Sequence, residues 1–220
     1  MKKLLLLILV IFMSLLFVTC GKTKLPQPIG ERVYEPQTIL ALGDSLTYGQ
    51  GVGRDDAYPA QLERALHAKG FTNYTIVNSG VSGERTDEVL KRLEKELDVH
   101  APDLVILTIG ANDVFQRKGL DSVERNIELI IEQIQGRDIT VLLSGMRVAT
   151  FLGGNYTKEF KEIYPRLAVK YNVRMVDHFL AGVGGKTELN QKDLIHPTKE
   201  GYEIIAEDNI LPELLPLLGE

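Results

Sequence analysis

A serine stands in Gly43-Asp44-Ser45-Leu46, directly after the apolar run Thr38-Ile39-Leu40-Ala41-Leu42. A buried strand there gives way to a glycine-containing loop, and in parallel α/β sheets ligands bind beyond the carboxyl ends of the strands. A hydroxyl so placed faces a crevice, which is where a nucleophile would stand. Three further segments carry polar residues at loops or strand ends: Asn78-Ser79-Gly80-Val81-Ser82-Gly83, Gly110-Ala111-Asn112-Asp113 and Asp193-Leu194-Ile195-His196-Pro197. Taken singly, each also reads as local geometry. Ser45 and Gly83 fit turns, Asn112 fits an Asx-turn, and His196 fits a helix entry ahead of Pro197. Four such segments at these points along one chain are hard to ascribe to turns alone.

Elements of a particular kind must hold those loops. Strand-length apolar runs cover Thr38 to Leu42, Thr75 to Asn78, Leu104 to Ile109, Ile139 to Leu143 and Arg174 to Val176. They are nearly continuous rather than alternating, as expected of strands buried on both faces of a parallel sheet. Helical patterns separate them. Tyr58 to Lys69 buries Leu62, Ala65 and Leu66 and stops at Gly70. Thr86 to Leu97 presents Val89, Leu90, Leu93 and Leu97, and Asp121 is expected to cap a helix from Val123 to Ile134 before Gly136. Tyr156 to Tyr171 is helical in pattern, with Pro165 expected to kink or split it. A last helix begins near Thr198 and is expected to break at Pro212. This alternation predicts an α/β fold, a three-layer α/β/α sandwich around a five-stranded parallel sheet with right-handed crossovers.

With those residues in place, the chain resembles the GDSL or SGNH hydrolase family, a group of flavodoxin-like α/β serine esterases whose four blocks are named for Ser, Gly, Asn and His. All four occur here in order: Gly43-Asp44-Ser45-Leu46, Gly83 in Val81-Ser82-Gly83, Asn112 in Gly110-Ala111-Asn112-Asp113, and Asp193-x-x-His196. The resemblance covers the chain from Thr38 onward. Gly154-Asn155-Tyr156 and Ile163-Tyr164-Pro165-Arg166-Leu167-Ala168 are similar to the thioesterase, lysophospholipase and arylesterase branch.

Acyl transfer assigns roles that agree with the resemblance. Ser45 needs a base to take its proton as it attacks an ester carbonyl. His196 suits that task because imidazole titrates near neutrality, and its imidazolium can protonate the leaving group. Asp193 could fix the imidazole tautomer. Of the other histidines, His67 lies on a helix face expected to meet solvent, and His100 precedes a strand at its wrong end. His178, beside Asp177 after the last strand, is the competitor. The resemblance implies an oxyanion hole made by the backbone amides of Ser45 and Gly83 and the side chain of Asn112.

Other chemistries lack their residues. The Gly-x-Ser-x-Gly elbow is not matched, because Thr47 stands at its second glycine. No Gly-x-x-x-x-Gly-Lys-Ser/Thr occurs; Gly49-Gln50-Gly51-Val52-Gly53 and Gly185-Lys186-Thr187 are only fragments of one. No His-Glu-x-x-His is present, and neither a metal nor another cofactor is implied.

The N-terminus, Met1-Lys2-Lys3 followed by the apolar stretch Leu4 to Val18, reads as a signal peptide over residues 1–19. Cys20, the single cysteine, stands where a bacterial lipoprotein is diacylated, in the lipobox-like Phe17-Val18-Thr19-Cys20. An uncleaved anchor and plain secretion are the other readings, since about 17 apolar residues is the lower limit for spanning a bilayer. Residues 20–37, with Pro26, Pro28, Gly30 and Pro36, read as a tether, and 38–220 as the hydrolase domain. The expected location is the bacterial envelope, with the membrane as partner through this N-terminus. Net charge is −5, and losing Lys2 and Lys3 with the signal makes it −7. An acidic domain without a basic run does not suggest nucleic acid as a partner.

The expected substrates are small acyl esters or lipids, including aryl esters, thioesters and lysophospholipids. An acyl groove lined by Val148-Ala149-Thr150-Phe151-Leu152 and packing of that loop on the core are equally open. Alternatives are a polysaccharide O-acetyl esterase, which would need a short closed pocket, and a non-catalytic envelope lipoprotein that binds a ligand.

Overall fold

The computed structural model describes residues 35–148 and 153–218. The signal segment, Cys20, most of the tether and residues 149–152 of the expected acyl-groove loop lie outside the described residues.

Five strands, β1 (Gln37–Gly43), β2 (Tyr74–Gly80), β3 (Leu104–Thr108), β4 (Thr140–Ser144) and β5 (Arg174–Val176), form one sheet in the order β2-β1-β3-β4-β5. Every pairing is parallel. The continuous apolar runs have the expected cause: β3 is buried along its whole length, and Ile39 to Leu42 of β1 are fully buried between its two neighbours.

Around the sheet lie α1 (Ser45–Tyr48), α2 (Tyr58–Ala68), α3 (Thr86–His100), α4 (Ala111–Phe115), α5 (Leu120–Gln135), α6 (Gly154–Tyr171), α7 (Lys199–Ile204) and α8 (Leu211–Leu214). In one layer α3 packs on α5 and α5 on α6, while α2 packs against the C-terminal helical run in the other. The amphipathic spacing explains both layers: Val89, Leu93 and Leu97 of α3, and Val123, Ile127, Ile130, Ile131 and Ile134 of α5, are buried. Among the described residues no helix is long and apolar enough to cross a membrane.

Three local expectations are corrected. Gly119, not Asp121, occupies the N-cap of α5, and Asp121 lies inside its first turn, where a carboxylate meets the helix dipole instead of a single amide. Pro165 neither splits nor ends α6, which runs unbroken for 18 residues. Burial of Phe160, Ile163, Tyr164 and Leu167 on either side of the proline, with Arg166 and Lys170 ion-paired to Glu124 and Glu128 of α5, outweighs its cost of about 3 kcal/mol. The C-terminal run does not break at Pro212, which sits in the first turn of α8 where its missing N–H costs little; the departure comes earlier, as a π segment over Ile205–Ile210.

Candidate active site

In a sheet of order 2-1-3-4-5 the crevice opens at the switch point between β1 and β3. Ser45 follows β1 and Asn112 follows β3, so the two flank that point. The loop after β2 approaches from the far side of β1. Asn78 fixes its start by donating Nδ2 to Thr47 O at 2.8 Å and accepting from Gly80 N at 2.9 Å. Gly80 has to be glycine, since a Cβ would lie 2.1 Å from Tyr48 N.

His196 closes the site from 151 residues further along the chain. Its Nε2 lies 2.9 Å from Ser45 Oγ and its Nδ1 lies 2.7 Å from Asp193 Oδ2. An ionised carboxylate only accepts, so Nδ1 carries the proton and Nε2 is left to accept from the serine hydroxyl. Asp193 Oδ1 accepts from the backbone of Ile195 at 2.9 Å and of His196 at 3.0 Å. Partial burial works against its charge, yet the hydrogen bonds from the His196 ring and these amides hold the carboxyl down at about 2. Leu194, between acid and base, takes φ +56° and so brings the two side chains onto one turn.

The other wall holds the expected oxyanion residues. Asn112 donates Nδ2 to Glu84 O at 2.8 Å and toward Asp44 Oδ2 at 3.3 Å. Its helix is fastened by Asp113, buried at 2 % exposure, which accepts from Thr86 N at 2.9 Å and Thr86 Oγ1 at 2.8 Å. Gly83 has φ +84°, and a Cβ there would meet nothing within 4 Å, so it borders open space. Asp44, 1 % exposed, caps α1 by accepting from Leu46 N at 3.0 Å. Burial raises its carboxyl to about 7, helped by the charges of Asp113 and Glu84 and opposed by the Leu46 hydrogen bond.

Asp44, Ser45, Gly83, Asn112 and His196 line one open cavity of about 250 Å³, with apolar wall supplied by Leu46, Ala111, Phe115 and Ile195. The structure thus brings together Ser45, Gly83, Asn112, Asp193 and His196. It leaves the other histidines outside. His67 is not free on a solvent face but contacts Tyr74 O through Nε2 at 2.8 Å, and His100 lies 3.5 Å from Glu96. Asp177 is taken by Arg147 at 2.5 Å, and burial together with the Arg147 charge disfavours protonated His178. Gln50 and Ser82 also line the cavity and hydrogen-bond to each other, a contact with no signal in the sequence because each lies in a separate loop.

Serine, imidazole and carboxylate thus stand in one hydrogen-bonded line beside an open cavity that Gly83 and Asn112 also line, the arrangement that acyl transfer requires. Residues 41–204 match the GDSL-like Lipase/Acylhydrolase family. The chain is 34 % identical over 171 residues to an arylesterase of Vibrio mimicus, covering 78 % of this chain and 85 % of that protein. It is 30 % identical over 188 residues to thioesterase 1/protease 1/lysophospholipase L1 of Escherichia coli K12, covering 86 % and 88 %. The crystal structure of AlinE4, an SGNH-hydrolase family esterase, superposes with a TM-score of 0.70 at 41 % identity over 83 % of this chain and 98 % of AlinE4. On fold, sequence and site together, the chain belongs to the GDSL-like lipase/acylhydrolase family and is a carboxylic ester hydrolase.

Proposed function

We propose that the chain hydrolyses acyl esters, aryl esters or thioesters through an acyl-enzyme on Ser45. The hydrogen-bonded line Asp193–His196–Ser45 at the mouth of the cavity carries this reading. As Ser45 Oγ attacks the carbonyl carbon, its proton passes to His196 Nε2. The negative charge on the carbonyl oxygen is received by the amides of Ser45 and Gly83 and by Asn112 Nδ2. The bond to the alcohol or thiol then breaks, and that group leaves with the proton from Nε2. Water delivers its proton to the same nitrogen, attacks the acyl carbon and releases the acid, returning Ser45 to its hydroxyl. Asp193 keeps Nδ1 protonated throughout and offsets the imidazolium charge.

The open cavity with its Leu46, Phe115 and Ile195 wall favours acyl or aryl groups larger than acetyl, since a pocket built for acetyl alone would be short and closed. The arylesterase and lysophospholipase relatives support the same range. The run Leu4 to Val18 followed by Cys20 supports a membrane-anchored position in the bacterial envelope; mass spectrometry of the extracted N-terminus, giving diacylglyceryl-Cys20 or intact Met1, decides its form. Incubating the full chain with a fluorophosphonate should give one adduct, on Ser45, and none with Ser45→Ala. An aryl ester panel should show octanoyl esters turned over at least as fast as acetyl esters. An inert Ser45 would end the catalytic reading, and a strong acetyl preference would transfer it to O-acetyl esters.

A further inference from the structure

Arg92, in the second turn of α3, lies between the loops that converge on the cavity. Its Nε donates to both oxygens of Glu84, at 2.8 and 2.9 Å, and Nη2 adds a third contact to Glu84 Oε2 at 2.7 Å. Nη2 also donates to Ser79 O at 2.8 Å and Gly43 O at 3.3 Å, and Nη1 to Ser79 Oγ at 2.6 Å. Ser79 Oγ in turn donates to Glu96 Oε2 at 2.7 Å. The side chains of Arg92 and Glu84 are 17 % and 12 % exposed, so water screens the pair weakly.

Each of these acceptors belongs to a segment that carries a working group. Gly43 is the last residue of β1, two before Ser45. Ser79 lies at the end of β2 and opens the loop to Gly83. Glu84 follows Gly83 directly, and its carbonyl accepts one of the two N–H bonds of Asn112. We infer that Arg92 is a positioning residue for the oxyanion donors: its guanidinium ties the end of β1, which leads to Ser45, to the loop that carries Gly83 and Glu84, and the Glu84 carbonyl in turn holds Asn112. The inference rests on the proposed roles of those donors.

A planar fork with five donors suits this task, whereas a lysine ammonium has three donors and no plane, and cannot engage the Glu84 carboxylate, both strand-end carbonyls and the Ser79 hydroxyl together. Donors must lie within about 2.7–3.1 Å of the oxyanion to act, and a displacement of about 1 Å near reacting atoms costs on the order of a hundredfold in rate. Charge develops on the oxygen only in the transition state, so loosening the donors lowers kcat and leaves KM nearly unchanged.

The test is a double-mutant cycle on the full chain, with active sites counted by fluorophosphonate titration. Arg92→Lys should lower kcat for an aryl ester by about 10- to 100-fold, with KM within threefold of the parent. In an Asn112→Ala background the same substitution should cost at least threefold less, because one of the donors it positions, the one held through the Glu84 carbonyl, is gone. The inference is overturned if kcat per titrated site stays within threefold of the parent, if the loss is carried by KM, or if the cost is undiminished without Asn112. Should Arg92→Lys fail to fold, Glu84→Gln carries the same cycle with the same criteria, since it keeps the shape and removes the partner's charge. An Asn112→Ala chain with the parent's kcat would overturn the donor assignment itself, and the inference with it.

Discussion

Asp44→Asn should stabilise the protein, and by an amount that grows with pH. Asp44 is 1 % exposed, with Asp113, Glu84 and the hydroxyls of Tyr58 and Tyr202 as its titratable surroundings. Its carboxyl holds a proton up to about pH 7, against 3.8 for an unhindered aspartate. Between about pH 4 and 7 the folded chain therefore binds a proton that the unfolded chain has released, and stability falls as pH rises through that window. Above 7 both states are ionised and the loss is complete. Each tenfold change in proton affinity corresponds to about 1.36 kcal/mol, so the whole loss is on the order of 4 kcal/mol. Asparagine keeps an oxygen to accept from Leu46 N and has no proton to lose, so the helix cap survives. Urea unfolding of parent and variant at pH 4 to 8 reads the difference, in which the other titrating groups cancel. The variant's advantage should grow by roughly 4 kcal/mol across the range. A difference that stays flat to within about 1 kcal/mol would show that burial does not hold the Asp44 proton, and would refute the reasoning.

The two histidines that compete for the role of base should separate cleanly by function. His196→Ala should lower kcat by at least about 10³-fold, as expected on losing a general base, whereas His178→Ala should stay within twofold of the parent in the same aryl ester assay; the opposite ranking would reassign the base. Gly83→Ala should cost about 1–2 kcal/mol in thermal unfolding, because φ +84° is strained for any residue with a Cβ even though the new methyl meets no atom within 4 Å. Relief of that strain turns the Gly83 amide, so kcat should also fall about tenfold with KM little changed. Full activity in a folded Gly83→Ala chain would remove that amide from the oxyanion site.

The layers of this fold were legible because each rests on a local pattern. Strands buried on both faces must be continuously apolar, and β1 and β3 can be read from composition alone. The errors fall where a tertiary contact overrides a local preference. The helical spacing of Phe160, Tyr164 and Leu167 can be read around Pro165, but nothing near it in sequence reveals that Glu124 and Glu128 will pair with the same helix from α5 and help hold it together. Asp121 has the side chain of a cap, but the turn begins one residue before it, at Leu120. The π segment over Ile205–Ile210 leaves no mark in spacing, since one extra residue per turn still presents an apolar face.

The site divides along the same line. Asp193 and His196 are legible as a pair because their geometry is made locally: one carboxylate caps its own turn through the amides of Ile195 and His196 and orients the imidazole with its other oxygen. The placement of that pair against Ser45 is not local at all. Gln191 N donates to His196 O at 2.8 Å, and Gln191 Nε2 donates to Gln50 O at 2.6 Å and Pro197 O at 3.1 Å. One amide side chain thereby docks the histidine turn onto the loop that follows the serine. On the opposite wall Arg92 joins the end of β1 to the loop between β2 and α3 in the same manner. The groups that do chemistry are thus announced by motif, whereas the groups that set their separation are ordinary polar residues with partners tens of residues away. A motif search recovers the first set, and a folded chain is needed to find the second.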